Sequence, residues 1–469
     1  MANKSYGSST EIKSAQLSIE QLRADFQGRV IGPGDDGYDQ ARTIFYGGFD
    51  RRPAVIIRVK DADEVASVVS LARETGLELA IRNGGHSNAG YSVTEGGIVL
   101  DLSEMKGLDI DVAQRTAWAQ TGLTTEQYSK AAAAYGLATG FGDTGSVGIA
   151  GLTLGGGVGY LVRKYGLTID SLLAAEIVTA DGRILQVNGE TNPELFWAIR
   201  GGGGNFGVAT RFQYRLQAVN NGVGGMLILP ASAKIITSFI AAADEAPEEL
   251  STIANVMVAP PMPFLPPELH GKLILMAMMF YASDIEAGQH AIEPFRKLAA
   301  PLADMLHPMP YTEMYPPEEP GFHPVGAVRT MFIDSLDGDD AQLIIDRLRA
   351  STAMMASSQI RVLGGAIARV PVDATAYAHR QRKIMINLAA LYNNPDEAAI
   401  HEKWVEDFMT ALRTDSTGAY VNFLAAEGEA RVREAYPGST WDRLRTIKAR
   451  YDPTNLFRLN QNIPPAIET

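Results

Sequence analysis

At 469 residues the chain is longer than one hydrophobic core ordinarily organises, because cores stop growing near about 250–300 residues, so two large domains are expected. Hydrophobic residues at 46% and charged residues at 20% are the balance of a soluble globular protein and exclude a fibre or a disordered chain. The net charge of −13 opposes binding to nucleic acid or anionic membranes, and the absence of cysteine excludes disulfides, thiolate metal sites and cysteine nucleophiles.

Met1 to Ser18 is polar and lacks the basic and apolar regions of a secretory signal. The longest apolar run, Leu273 to Ala282, is too short to span a bilayer, so a cytoplasmic protein is expected. Ala54 to Val59 reads as a buried strand, and Asp61 with Glu64 gives a helix start resembling a capping box, after which Val65, Val68, Val69 and Ala72 share one face. Leu79–Arg82, Ile98–Leu102 and Thr116–Gln120 read as further strands, an α/β pattern. From Gly140 to Gly159 there are nine glycines in twenty positions, so the backbone there turns sharply or lies against something. Ala174–Thr179 and Ile184–Val187 bracket Asp181-Gly182 as a hairpin, and the helix Pro193–Arg200 leads through Gly201–Gly207 to the strand Val208–Leu216. Composition shifts at Asn220-Asn221-Gly222, which marks a domain boundary. The middle region mixes strands such as Leu273–Tyr281 with helices such as Asp339–Met355, an α+β substrate domain. The tail, Tyr451 to Pro465, is too polar for a core element and should lie over one.

Two GxGxxG patterns are poor dinucleotide fingerprints. Gly32, Gly34 and Gly37 enclose Asp35 and Asp36, which would repel a diphosphate, while Gly202, Gly204 and Gly207 follow a helix and precede a strand, the reverse of the required order. A better anion site is Arg82-Asn83-Gly84-Gly85-His86-Ser87, where paired glycines after a strand let consecutive backbone N–H groups face a phosphate.

That stretch occurs with Gly142-Asp143-Thr144-Gly145-Ser146-Val147-Gly148, Gly151 to Gly159, Arg163 to Leu167, Gly364-Gly365-Ala366-Ile367 and the closing Tyr451 to Pro464. The ordered set, spanning about residues 40 to 465, resembles the berberine-bridge-enzyme-like branch of the vanillyl-alcohol-oxidase flavoproteins. The resemblance implies an α+β fold: a two-segment FAD-binding domain of the PCMH type (residues 1–218 and 426–469) with a substrate domain, an antiparallel sheet flanked by helices, inserted at 219–425. It implies that Gly84, Gly85 and Ser87 wrap the FAD diphosphate within a stretch that includes Arg82 and Asn83, and that His86 bonds the flavin 8α-methyl carbon. Gly148, Gly151 and Gly207 then admit backbone close to the cofactor, and Asn460 and Asn462 lie beside its rings. Many members carry a second link from a cysteine where this chain has Thr144, whose hydroxyl is too weakly acidic to replace a thiolate, so His86 is the only expected attachment, as in hydroxynicotine-oxidase-type members.

Tyr420, in Gly418 to Phe423, matches a tyrosine that takes the substrate proton in several relatives; others use a carboxylate on the strand that here reads Ile386 to Leu391 and holds no acid. A phenol needs a hydrogen-bond partner or positive neighbour to serve as a base at neutral pH, and a packed strand tyrosine is the alternative. Val147 corresponds to the residue bordering the space where O₂ meets the reduced flavin, and a valine there resembles the oxidases. The implied activity is hydride removal from a carbon bearing nitrogen or oxygen, with O₂ reduced to H₂O₂. An amine or N-heterocycle is the first expected substrate and an alcohol or sugar hemiacetal the second; a non-oxidase flavin-binding protein, or a dehydrogenase using a protein electron carrier, is the reading from another class. The remaining histidines show no metal-ligand spacing, Met276, Met278 and Met279 read as core or cleft residues, and Tyr311, Tyr315 and His323 are candidates to reach substrate.

Overall fold

The computed structural model describes residues 18–315, 321–413 and 418–467. Its first sheet runs Val30–Ile31, Val55–Arg58, Ile98–Asp101, Leu79–Arg82, with the last three parallel. The crossover helix Ala62–Thr75 forms where expected: the Asp61 carboxylate accepts the Glu64 N–H at 2.9 Å, Gly76 at φ 69° ends it, and Val65, Val68, Val69 and Ala72 are fully buried against the sheet. A second, antiparallel sheet runs Leu108–Asp111, Thr116–Gln120, Val208–Arg215, Leu172–Val178, Ile184–Asn188, and its last pair is the hairpin around Asp181-Gly182.

The third sheet has eight antiparallel strands. Seven run in the order Ala303–Asp304, Asn221–Pro230, Leu273–Tyr281, Leu250–Val258, Met355–Val362, Ile384–Tyr392, Val325–Ile333, and His307–Pro310 pairs beside Asn221–Pro230. Helices Ala233–Glu245, Ile285–Arg296, Gly338–Arg349 and Ala398–Leu412 cover one face, where Phe239, Phe295, Ile344 and Phe408 pack with Ile386 and Leu388. Strand side chains alternate, so Asn387, Ala389 and Leu391 face the other way, toward the glycine loops. The helix expected over Asp339–Met355 ends at Arg349, because Met355 opens a strand whose next positions pair with Ile384–Tyr392.

After the third sheet the chain returns to the first unit. Ala419, Val421 and Leu424 join the core of the second sheet, as do Trp441, Leu444 and Ile447 of the helix Ser439–Tyr451. The tail is more than a cover: Phe457 is buried in the first sheet's core and Ile463 in the second's. The fold is therefore α+β, built from two chain segments around an inserted antiparallel sheet flanked by helices, as the resemblance implies. Arg163 ties the units together by donating to the carbonyls of Ala243, Leu250, Asp244 and Ala246, and Arg380 by a bidentate pair with Asp170 at 2.7 and 2.9 Å. Among the described residues no helix is long and apolar enough to cross a membrane.

Candidate active site

A cavity of about 640 Å³ lies between the glycine loops and the open face of the third sheet. One apolar portion is formed by Leu79, Leu102, Val208 and Phe457, which pack together in the first core. The loop of residues 83–88 forms part of the wall, and Thr144, Val147, Tyr420, Asn422 and Phe423 form another part. The third sheet contributes Asn255, Gln359, Asn387, Ala389 and Leu391.

The loop after Leu79–Arg82 is held by a second glycine segment. A Cβ on Gly84 would stand 2.5 Å from the Gly148 nitrogen, and a Cβ on Gly148 would overlap the Asn83 carboxamide, whose oxygen accepts the Ala150 N–H at 3.3 Å. Two motifs distant in sequence are thus pressed backbone to backbone. Gly85 turns the loop at φ 75°, and among the described residues none of the N–H groups of residues 84–88 donates to a protein acceptor. A row of unspent N–H groups is costly to bury unless a ligand accepts them.

His86 stacks on Phe45 with ring centroids 4.1 Å apart, and its Nε2 is hydrogen-bonded to the Ser146 hydroxyl at 2.7 Å. Burial pushes its pKa down to about 4, so the ring is neutral at physiological pH. The opposite wall is pinned by the fully buried pair Lys448–Asp452 at 2.5 Å. Lys448 Nζ also donates to the carbonyls of Asn205 and Phe457, and Asp452 accepts the N–H groups of Leu456 and Phe457. Asn205 in turn accepts the Ile463 N–H and donates to the Gly202 and Gln461 carbonyls, fixing the tail against the Gly202–Gly207 loop. This network accounts for the Asp452 and Ile463 positions of the closing motif, while Leu459, Asn460 and Gln461 line the cavity.

These walls fit FAD. Unspent N–H groups suit a diphosphate, and the apolar portion suits a ring. Added Cβ atoms on Gly151 and Gly204 would meet nothing within 4 Å, so the wall there is open to a ligand. No lysine or arginine is among the described lining residues, so the diphosphate would be held by backbone N–H groups and by Ser87 and Asn88 rather than by cations.

Tyr420 caps the short 3-10 turn Val421–Phe423 and is not on a strand. Its oxygen accepts the Gly157 N–H at 2.8 Å and the Asn422 side-chain amide at 2.9 Å. Burial nevertheless dominates and pushes its pKa up to about 12, against the lowering by those donors and by Arg361. The partners a phenolate needs are present, yet the proton stays. Arg361, from Met355–Val362, donates to Asp143 at 2.6 Å, to the Gln359 carboxamide oxygen at 2.6 Å and to the Val158 carbonyl at 3.2 Å. It locks the third sheet onto the glycine loop.

Of the residues expected in the site, Asn83, Gly84, Gly85, His86, Ser87, Thr144, Val147, Gly148, Gly151, Gly207, Tyr420 and Asn460 line the cavity. Gly207 owes its lack of side chain to packing as well, since a Cβ would stand 2.5 Å from the Ile177 side chain. Arg82 is not on the cavity wall: Ile81 faces it, so by strand alternation Arg82 points away, where it pairs with Asp101 at 2.8 Å. Asn462 is also off the wall, with its buried carboxamide oxygen unpartnered. Tyr311 and Tyr315 bond each other at 2.6 Å inside a core and do not reach the cavity, Met279 is fully buried, and His323 holds the Phe45 carbonyl. Sequence reasoning did not single out Asn255, Gln359 or Asn387. The only signal for them is a polar side chain at an alternate position of an otherwise apolar strand.

Residues 53–188 match the FAD binding domain family, and residues 419–464 match the family described as berberine and berberine like. The chain is 30% identical over 453 residues to the FAD-linked oxidoreductase YgaK of Bacillus subtilis (strain 168), covering 93% of this chain and 97% of that one. It is 29% identical to (R)-6-hydroxynicotine oxidase of Paenarthrobacter nicotinovorans, covering 94% and 97%. Its fold superposes on the crystal structure of 6-hydroxy-D-nicotine oxidase from Arthrobacter nicotinovorans with a TM-score of 0.84 at 28% identity, covering 94% of this chain and 98% of that one.

Proposed function

The chain belongs to the berberine-bridge-enzyme-like family of FAD-linked oxidoreductases, and on that footing we propose that it is an oxidase of amines or N-heterocycles that carries FAD on His86. FAD, when bound, supplies a two-electron acceptor that can pass its electrons to O₂ and release H₂O₂. The observation that carries the amine reading is the lack, among the described lining residues, of a free base for neutral pH. Tyr420 and Tyr46 are both pushed up to about 12 by burial, His86 is taken up at Nε2 by Ser146 and at its other nitrogen by the attachment proposed here, and Asp143 is engaged by Arg361. An alcohol or hemiacetal must shed its O–H proton as hydride leaves, which calls for a base. An amine carbon can lose hydride to give an iminium ion with no base at all. Tyr420 then acts in its protonated form, as a contact for the substrate rather than a proton acceptor. The hydroxynicotine-oxidizing relative supports the same substrate class.

For the attachment, Ser146 occupies Nε2 of His86 and leaves Nδ1 of a neutral ring for the flavin 8α carbon. Thr144 lines the cavity but its hydroxyl offers no second link. Val147, whose carbonyl is held by the Thr125 N–H and hydroxyl at 2.9 and 3.0 Å, presents its side chain to the cavity where we place O₂.

The test is anaerobic bleaching of the purified yellow protein by a panel of amines, alcohols and oligosaccharides, followed by H₂O₂ assay on admitting air. Amines should bleach it, and Tyr420→Phe should slow that step less than about tenfold. Loss of 10² to 10⁴, the usual range for removing a positioned base, would make Tyr420 a base and favour the alcohol reading. Bleaching without H₂O₂ on aeration would make the protein a dehydrogenase.

A further inference from the structure

The open face of the third sheet carries a polar rung assembled by strand register. Asn255 pairs across to Gln359, Gln359 to Asn387 and Asn387 to Thr330. Directly opposed residues share a face, and the first three line the cavity. The rung is satisfied at one end only. Gln359 donates to Asn255 at 3.1 Å and accepts from Arg361, which spends both ends of its carboxamide. At the other end the carboxamide oxygen of Asn387 and the hydroxyl of Thr330 are buried without a partner. A buried polar group of this kind is destabilising until a partner arrives.

The described wall also carries no unpaired charge of either sign. Among the described lining residues Asp143 is the only aspartate or glutamate, and the buried Arg361 neutralises it; no lysine or arginine is present, and His86 is neutral. Beside the rung, where the backbone N–H groups are spent in the sheet, a cationic ligand would find no free carboxylate among the described residues and an anionic one neither a cation nor the free N–H row that the glycine loop offers the FAD diphosphate, and an unpaired buried charge is expensive.

We infer that the substrate binds and reacts uncharged, anchored by an N–H or O–H group on the Asn387 carboxamide. The inference rests on the amine-oxidase reading and specifies it. Amines are taken as free bases, because loss of a hydride (one proton and two electrons, received by FAD) leaves an iminium ion only when the nitrogen lone pair is free to form the new C=N bond. Carboxylate-bearing amines are rejected for lack of a cation. Oligosaccharides are poorly matched, since the rung has few unspent groups for many hydroxyls and the neighbouring wall is Val328, Met355, Ala389 and Leu391.

Two measurements on the holoenzyme test this. In anaerobic stopped-flow from pH 6 to 10, the second-order rate of flavin bleaching should rise tenfold per pH unit below each amine's own pKa and level off above it, so that the midpoint moves from amine to amine. A midpoint fixed at one pH for all amines, or faster reaction of the ammonium form, would overturn the inference. The second is equilibrium binding of 2-pyridone against N-methyl-2-pyridone, which lacks the N–H, followed by the flavin spectrum. Wild type should prefer the N–H form by about 3- to 10-fold, the worth of one neutral hydrogen bond. Asn387→Ala should erase that preference while still binding the N-methyl form, which shows that the variant is folded. An unchanged preference in Asn387→Ala would remove the anchor. Bleaching by alcohols or sugars and by no amine would instead overturn the amine-oxidase reading itself.

Discussion

The glycine-loop unit and the third sheet build their halves of the cavity by different means. In the first, shape is set by backbone pressed on backbone: Gly84 against Gly148, Gly207 against Ile177, and a tail stitched down by Lys448 and Asp452. In the second, shape is set by register, which brings Asn255, Gln359 and Asn387 from three strands into one row. The first means demands particular residues at fixed local spacing. The second asks only for alternation and tolerates almost any side chain on the open face, so it is where specificity can vary without disturbing the fold.

The sharpest way to break the first half is at its buried ion pair. Asp452→Asn removes the carboxylate that holds Lys448 and leaves a buried charge, so unfolding in urea should show a loss of about 3–5 kcal/mol, with FAD content falling as well. A variant as stable as wild type would mean that the tail is held by its apolar anchors, Phe457 and Ile463, alone.

A pair of substitutions separates glycines needed by the protein from those that leave room for the cofactor. Gly148→Ala must displace the Asn83 carboxamide and should cost about 1–3 kcal/mol whether or not FAD is present. Gly151→Ala meets nothing within 4 Å and lies in the helix Ile149–Gly155, so it should leave the apoprotein as stable or up to about 1 kcal/mol more stable. Its harm, if any, belongs to flavin occupancy, read from the absorbance ratio of the purified protein. Equal thermal destabilisation by both would erase the distinction.

A smaller effect probes the boundary between the halves. His379 stacks on Phe332 of the third sheet at 4.6 Å and donates from Nε2 to the Glu434 carbonyl of the first unit at 3.0 Å, and burial pushes its pKa down to about 4. A lowered histidine pKa means that the unfolded chain binds the proton first. Its contribution is therefore intact above about pH 6.5 and is lost as pH falls from there toward 4. In His379→Asn the decline of stability over that window should be shallower by up to one proton, about 1.4 kcal/mol per pH unit. An unchanged slope would mean that His379 is as free to protonate in the native state as in the unfolded one.

What could be read in the sequence follows the same division. The strands Leu79–Arg82, Thr116–Gln120 and Leu273–Tyr281 have the bounds expected of them, and so does the buried face of Ala62–Thr75, because each is a local pattern closed by turn or capping residues. The loop holding His86 was legible because paired glycines and their neighbours are contiguous. Arg82 lies off this cavity, paired with Asp101, because motif membership says nothing about which face of a strand a residue takes. The helix from Asp339 was drawn too long, since Ala350 to Met355 contains helix-favouring residues and only pairing with Ile384–Tyr392 makes Met355 a strand. The polar rung was not legible, because Asn255, Gln359 and Asn387 become neighbours only through long-range register.

The claim that FAD is held through His86 alone is tested most directly by denaturing the holoprotein in acid and centrifuging. The account predicts a yellow pellet and a colourless supernatant for wild type, and the reverse for His86→Ala, in which nothing else can retain the flavin. Flavin released wholly into the wild-type supernatant, or retained in the His86→Ala pellet, would contradict it.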